Sequence, residues 1–223
     1  MESKEFDEKY RTRLEKLSTT NLADALDKEG MRGAVIGIRP MYDCPRIIGR
    51  AVTMKVTAAG MWKTKYHMGV RAIDSASAGD IIIIDNRGDT NNNCWGEILS
   101  MGAKMKGVSG VVVDGAARDI DSCKEFGFPV YARGAVPITA RGRIMEESVN
   151  EVVRIGDIQV RPGDIVMADV NGVVIIPVEK LDDVVKSAEG IAEKESAMVE
   201  ELRKGANIVE VDQKYSYETM LKK

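Results

Sequence analysis

Val111-Val112-Val113-Asp114-Gly115-Ala116-Ala117-Arg118-Asp119 is the stretch that decides the fold. Three consecutive β-branched residues ending on Asp114 read as a strand buried on both faces, the kind found in parallel sheets. The chain then turns through Gly115. Arg118-Asp119 opens a helix predicted over Asp119–Phe126, and a further strand follows near Pro129–Ala132. A compact strand–helix–strand unit predicts parallel pairing through a right-handed crossover, and therefore an α/β fold.

Outward from this unit, Ala34–Ile38, Arg50–Thr57 and Ile81–Asp85 are short β-branched runs bounded by Gly, Pro and Asp, and read as strands. Met61–Ser77 has helical composition, and Glu97–Lys106 is a predicted helix stopped by Gly107. The sequence Ala-Gly-Asp-Ile-Ile-Ile-Ile-Asp at 78–85 is echoed by Pro-Gly-Asp-Ile-Val-Met-Ala-Asp at 162–169. The echo is too short for a solenoid and predicts two hairpin-like Gly-Asp turns feeding one core. Toward the ends, Phe6, Tyr10, Leu14 and Leu17 form a narrow apolar stripe on a charged helix. Ser18-Thr19-Thr20-Asn21 offers N-caps for a helix running to about Lys28 and stopped by Gly30. Residues 179–204 read as a long amphipathic helix with Gly205 as its stop, and 206–223 as a terminal arm.

Composition removes whole classes of function. The 223 residues are 44% hydrophobic and 30% charged, as in globular proteins. Lys and Arg total 32 against 35 Asp and Glu, a net charge of −3, which supplies no overall attraction to nucleic acid or anionic lipid. No apolar run approaches the roughly 20 residues of a membrane span. The first 17 residues are charged throughout, without the apolar core of a secretory signal, so a cytoplasmic location is expected. Cys44, Cys94 and Cys123 show no Cys-x-x-Cys spacing, and with His67 as the lone imidazole a Cys/His zinc site has no support. His67 itself reads as a packing or hydrogen-bonding residue, and no nucleophile elbow is present. No G-x-G-x-x-G or P-loop occurs, so nucleotide folds have no support. Carboxylates, arginines, lysines, water or a metal must carry any chemistry.

Two segments concentrate candidates for that chemistry. Arg118 and Asp119 follow a buried strand, where open α/β sheets bind ligands, and they start a helix whose N–H groups favour anions. There an Arg can grip a carboxylate bidentately and an Asp can hold a hard cation. Spacing alone leaves a second reading open, a helix-start charge pair with Asp119 as the cap. In Asn91-Asn92-Asn93-Cys94-Trp95-Gly96-Glu97-Ile98-Leu99, a polar loop meets a Gly-led helix start. Its backbone N–H groups at 96–99 could bind a carboxylate or enolate oxygen and Glu97 could orient water, or the loop simply caps an ordinary helix. Arg87-Gly88-Asp89 matches an adhesion tripeptide by coincidence, and Arg133, Arg141 and Arg143 read either as a basic rim or as solvated surface.

Taken in order, seven segments resemble the RraA-like family, which includes 4-hydroxy-4-methyl-2-oxoglutarate/4-carboxy-4-hydroxy-2-oxoadipate aldolases once mislabelled demethylmenaquinone methyltransferases. They are Thr19–Leu26, Ile48–Thr53, Ala78–Ile81, Gly96–Leu99, Gly110–Asp119, Phe128–Gly134 and Pro162–Val173. The resemblance covers roughly 18–205, the expected catalytic domain, between an N-terminal helical extension (1–17) and a C-terminal arm (206–223). It implies a swivelling-domain-like αβα layered fold, assembled as homotrimers or homohexamers with sites at subunit boundaries. It also implies a substrate-binding backbone at Gly96, Glu97, Ile98 and Leu99, a carboxylate-gripping Arg118 and a metal-ligating Asp119. The aldolases often carry Asp where this chain has Glu97, so the carboxylate persists one methylene longer; Asn91–Asn93 and Arg50 also depart from them. The implied activity is a divalent-metal-dependent aldolase or decarboxylase, using Mg²⁺ or Mn²⁺, on small 2-oxo acids, with Arg118 and Glu97 catalytic. Two alternatives accompany it: a non-catalytic regulator of a ribonuclease, and a sugar-acid lyase or dehydratase on the same scaffold. No nucleic-acid or membrane partner is expected.

Overall fold

In the computed structural model, which describes residues 3–62 and 64–219, the chain opens with α1 (Ser3–Phe6), a π-helical turn over Asp7–Arg11, and α2 (Thr12–Leu14). Phe6, Tyr10, Leu14 and Leu17, the stripe read from the sequence, are all buried. Next comes α3 (Thr19–Lys28), started by a reciprocal capping box in which Ser18 Oγ accepts from Asn21 N–H and Asn21 Oδ1 accepts from Ser18 N–H. Two short strands, β1 (Ala34–Val35) and β2 (Arg39–Pro40), precede the long β3 (Ile47–Ala58).

The segment expected to be helical over Met61–Ser77 forms a helix only at α4 (Val70–Ser75), behind Gly69 at φ +86°. Met61, Trp62 and Tyr66 are exposed, so the first half has no buried apolar face to hold a helix, and composition alone does not suffice. Lys63 lies outside the described residues. The chain continues through β4 (Ile81–Asn93), α5 (Glu97–Met105), β5 (Gly110–Ala117), α6 (Ile120–Phe126) and β6 (Val130–Ala135). It closes with β7 (Ile144–Val149), β8 (Val153–Ile155), β9 (Ile158–Val160), β10 (Ile165–Asp169), β11 (Gly172–Ile176), α7 (Leu181–Arg203) and α8 (Ile208–Tyr215). The arm is thus helical over 208–215, where Tyr215 OH donates to Glu201 of α7 at 2.7 Å.

The α/β class read from the sequence is the class observed. Among the described residues nine strands form one mixed sheet in the order β1-β11-β10-β3-β4-β5-β6-β2, with β7 also on β3. The run β3-β4-β5-β6 is parallel, as the strand–helix–strand unit required, and the other pairings are antiparallel. β1 and β2 lie at opposite ends of this order although only residues 36–38 separate them. A stretch that short spans about 14 Å at most, so the sheet must curl until its two edges nearly meet. Arg39 Nη1 of β2 donates to Asn171 O at 2.6 Å, reaching the β10–β11 turn next to β1.

Side-chain alternation sorts the two faces. Ile81, Ile83, Val112, Val166 and Ala168 join Tyr131 and the β8–β9 hairpin in one interior cluster. On the opposite face, Ile82, Ile84, Val111 and Val113 pack under α4, α5 and α6. Ile48, Ile165, Met167 and Val174 pack under α1–α3 and α7. The curled sheet is thereby held between two helical groups. Among the described residues no helix is long and apolar enough to cross a membrane.

The sequence echo is a structural repeat on either side of β3. Ile81 pairs in parallel with Ala51 and Ile165 antiparallel with Arg50. Gly79 and Gly163 sit at φ +86° and +87°, and Asp80 and Asp164 each accept the N–H three residues back, at 2.8 Å. Only the second copy starts a hairpin, β10–β11; the first leads into the parallel β4, which corrects the expectation of two hairpin-like turns.

Candidate active site

The end of β5 is stitched to the chain leaving β4. Cys94 N–H donates to Ala116 O at 3.0 Å and Arg118 N–H to Trp95 O at 2.9 Å. These two bonds lay the residues before α5 directly against those before α6, so Gly96 meets Arg118 and Asp119 across 22 residues of sequence. A Cβ built on Gly96 would fall 2.8 Å from Asp119 Oδ2 and 3.1 Å from Arg118 Cγ. Only glycine leaves room there.

Asp119 occupies the N-cap position of α6, but its side chain makes no cap hydrogen bond and its backbone is left-handed, φ 54°. Its Oδ2 instead accepts the Glu97 N–H at 3.2 Å, and Arg118 Nε lies 3.3 Å from the same oxygen. That Nε–H is buried yet off the hydrogen-bond direction, so it has no acceptor among the described residues. Asn93 Oδ1, which lines the same space, is also buried without a partner among the described residues. Two such orphaned atoms in one place mark polar groups arranged for something other than the chain itself.

They line a cavity of about 490 Å³ that also takes in Gly96, Glu97, Ile98 and Leu99. The structure therefore brings together all six residues singled out from the sequence. One detail differs from the backbone cradle expected at 96–99: the Glu97 N–H is already engaged by Asp119. The Ile98 and Leu99 N–H groups belong to the first turn of α5, which has no carbonyl partners of its own.

Sequence reasoning did not connect several neighbours to this site. His67, Met68, Thr139 and Arg141 line the same cavity, and His67 is exposed rather than packed. They come from irregular segments that carry no periodicity. Buried Glu146 holds the first of these in place, accepting from Gly69 N–H at 3.0 Å and from Arg71. Of the three arginines read as a rim, Arg141 lines this cavity, Arg143 donates to Thr139 O, and Arg133 pairs with Asp114 in a different cavity. Arg50 pairs with Asp80 at 2.9 Å and supports the turn before β4.

Cys94, in the cavity's lining, and Cys123 are both fully buried, and burial pushes both thiols up, so neither is a nucleophile. Trp95 stacks on Phe128 and donates through Nε1 to Ser100 Oγ at 2.8 Å, giving the cavity a rigid floor. Among the described residues no three His, Cys, Asp or Glu side chains gather into a cage for an ion. The donor set fits a hard cation only in one form: a single carboxylate oxygen from Asp119, with substrate and water completing the shell, as Mg²⁺ tolerates.

An α/β scaffold with a backbone–arginine–carboxylate cavity beyond its parallel strands has the form in which such sheets present ligand sites. The chain belongs to the RraA-like family, described as Aldolase/RraA, whose profile matches residues 19–175. It is similar to a Halalkalibacterium halodurans protein provisionally named a 4-hydroxy-4-methyl-2-oxoglutarate aldolase, 32% identical over 79% of this chain and 80% of that one. Protein DlpA of Legionella pneumophila is 29% identical over 90% of this chain, which spans 33% of that relative's length. Among solved structures, Streptomyces coelicolor RraAS2, described as an unusual member of the RNase ES inhibitor RraA protein family, superposes with TM-score 0.75. That match has 25% identity and covers 83% of this chain and 92% of that one.

Proposed function

We propose that the chain is a divalent-metal-dependent lyase that cleaves C–C bonds in small 2-oxo acids, as an aldolase and as an oxaloacetate decarboxylase. The observation that carries this reading is the Asp119 carboxylate turned away from its own helix toward the Glu97 N–H, beside a buried Arg118 N–H lacking an acceptor among the described residues.

The Arg118 guanidinium binds the substrate's C1 carboxylate and neutralises it. The Ile98 and Leu99 N–H groups, at a helix start, orient the same end of the molecule. Mg²⁺ or Mn²⁺ held by Asp119 would supply Lewis-acid polarisation of the 2-oxo carbonyl and stabilise the charge left on it by cleavage. Glu97, whose backbone is fixed by Asp119, moves a proton through its carboxylate by way of water. The Trp95–Phe128 floor keeps bulk water from the reacting carbon. Aldol cleavage and oxaloacetate decarboxylation both leave the enolate of pyruvate, so one apparatus serves both.

Exposed Ile98 and Val70 stand at the cavity mouth, and an apolar mouth supports closure by a second copy in a homotrimer or homohexamer. The test is pyruvate release from oxaloacetate with Mg²⁺, with EDTA, and in Asp119→Ala. Activity is expected only in the first; undiminished turnover in either of the others refutes the mechanism. The description of the Streptomyces relative supports a second reading, ribonuclease inhibition. Stoichiometric capture of a ribonuclease by a preparation with no turnover would favour it.

A further inference from the structure

We propose a second anion site, sharing no lining residue with the cavity around Arg118, that takes a phosphate group either free or as a monoester. It is a cavity of about 360 Å³ into which four arginines converge from separate segments: Arg32, Arg87, Arg133 and Arg154. Asp114 and Asp157 are the carboxylates along it, leaving two positive charges in surplus on a chain whose net charge is −3. No lysine among the described residues lines it. Four planar guanidinia and no ammonium suit an oxyanion bound through paired N–H donors.

Two buried carboxylates set up the arginines. Asp85 and Asp114 are direct partners on β4 and β5. Asp85 Oδ1 accepts the Arg87 N–H at 3.0 Å and its Oδ2 the Arg154 N–H at 3.2 Å, so one side chain seats both backbones. The Arg87 and Arg154 guanidinia themselves reach no hydrogen-bond or ion-pair partner among the described residues and are exposed. Asp114 is fully engaged: Oδ1 accepts from Arg133 Nε and Oδ2 from Gly156 N–H at 2.8 Å. It therefore presents no bare anion to the cavity.

Arg133 is fixed from two sides, because its Nη1 also donates to Ile36 O at 3.2 Å; Nη2 remains, facing the open Cα of Gly156. Arg87 is held at φ 54°, a left-handed conformation that a non-glycine residue adopts at a cost, and Gly88 follows at φ +73°. Strain of this kind persists where the surroundings impose it, and it clusters at binding sites. Gly88 and Gly156 let a ligand approach the backbone closely. A concave space of this size, with glycine walls and a surplus of two charges, fits a phosphate dianion better than a flat protein surface does.

The test is calorimetric titration of the full chain at low salt with inorganic phosphate and, separately, phenyl phosphate. Saturable binding near a Kd of about 1 mM or tighter is expected for at least one of them. The double variant Arg87→Ala/Arg154→Ala should weaken it at least about 10-fold, with an unchanged melting temperature because both side chains are exposed. Arg118→Ala should leave it intact. Tighter binding of phenyl phosphate would identify a monoester as the ligand, and equal binding the free ion; both support the site. Absence of saturable binding, retention in the double variant, or loss in Arg118→Ala overturns it. So does a change of oligomeric state in the double variant while both phosphates stay silent, since the arginines would then serve a protein interface.

Discussion

Gly96→Ala separates the site from the fold more cleanly than any other single change. Gly96 has φ −162° and ψ −166°, extended backbone that alanine adopts freely, so the substitution carries no conformational penalty. Its methyl group would nevertheless stand 2.8 Å from Asp119 Oδ2 and 3.4 Å from Arg118 Nε. Both atoms end side chains that can swing, so relief comes from moving the carboxylate outward by about 0.5 Å to ordinary contact. The Glu97 N–H···Oδ2 bond, already 3.2 Å, does not survive that shift. Losing one charge-assisted hydrogen bond at the reacting centre is worth about 1.5–3 kcal/mol, or roughly 10- to 150-fold in kcat/KM. Stability should change by less than about 1 kcal/mol, because alanine also restricts the unfolded chain. The assay is Mg²⁺-dependent pyruvate release from oxaloacetate, with Mn²⁺ binding followed in parallel. Gly134→Ala serves as control, since a Cβ there meets nothing within 4 Å. Wild-type turnover and Mn²⁺ affinity in Gly96→Ala would refute the assignment of Asp119 and Arg118 to the reacting centre; an unfolded protein would refute the steric reasoning.

Asp119→Asn keeps a residue tolerated at φ 54° and so should fold normally, yet lose activity by roughly 100-fold or more with the charge; circular dichroism and the pyruvate assay check both halves. Gly79→Ala and Gly163→Ala, at matched φ in the repeated turns, should each cost about 1–2 kcal/mol in urea unfolding. Equal penalties are expected, because a Cβ at Gly163 meets nothing and one at Gly79 meets only the tip of Arg11. For Asp169, burial alone would raise the carboxyl, but hydrogen bonds from Thr19 N–H, Thr19 Oγ1 and Asn171 N–H outweigh it and hold the group below its usual value. A lowered folded-state pKa means stability present above the unfolded value near 3.9 and lost as pH falls through the folded one. Acid titration of urea midpoints should therefore fall more steeply below about pH 4 in wild type than in Asp169→Asn, and parallel curves would refute that linkage.

The central strands were legible because Ile81–Ile84 and Val111–Val113 are buried on both faces and carry nothing else. Ser18 was legible because a cap acts within three residues. What failed was whatever depended on a distant partner. Met61–Ser77 has a helix's composition, yet its first half finds no surface to pack on. The β8–β9 hairpin was overlooked although Gly156-Asp157 between Val153-Arg154-Ile155 and Ile158-Gln159-Val160 is a two-residue hairpin signal with alternating flanks. The curl of the sheet has no local sign at all. It follows from pairing the short β1 and β2 at opposite edges, which depends on the register of every strand between them.

The site was legible only in halves. Arg118-Asp119 reads equally as an ion pair opening a helix, and Gly96–Leu99 as an ordinary helix start; what joins them is the parallel β4–β5 register and two backbone bonds from residues 94 and 118. The conformation of Asp119 separates the two readings. A capping aspartate takes extended backbone and binds its own helix's N–H groups, a contribution of about 1 kcal/mol. Asp119 does neither: it adopts a left-handed conformation and directs its carboxylate across to the neighbouring helix. The chain thus forgoes a cap and tolerates strain at one residue, and natural sequences break local rules in this way chiefly at functional sites. Asp119→Ala should therefore cost no more than the roughly 1–2 kcal/mol of alanine in a left-handed conformation, since no cap is lost, while removing the carboxylate that meets Gly96; a drop in melting temperature well beyond that of Gly163→Ala would return Asp119 to the role of a helix cap.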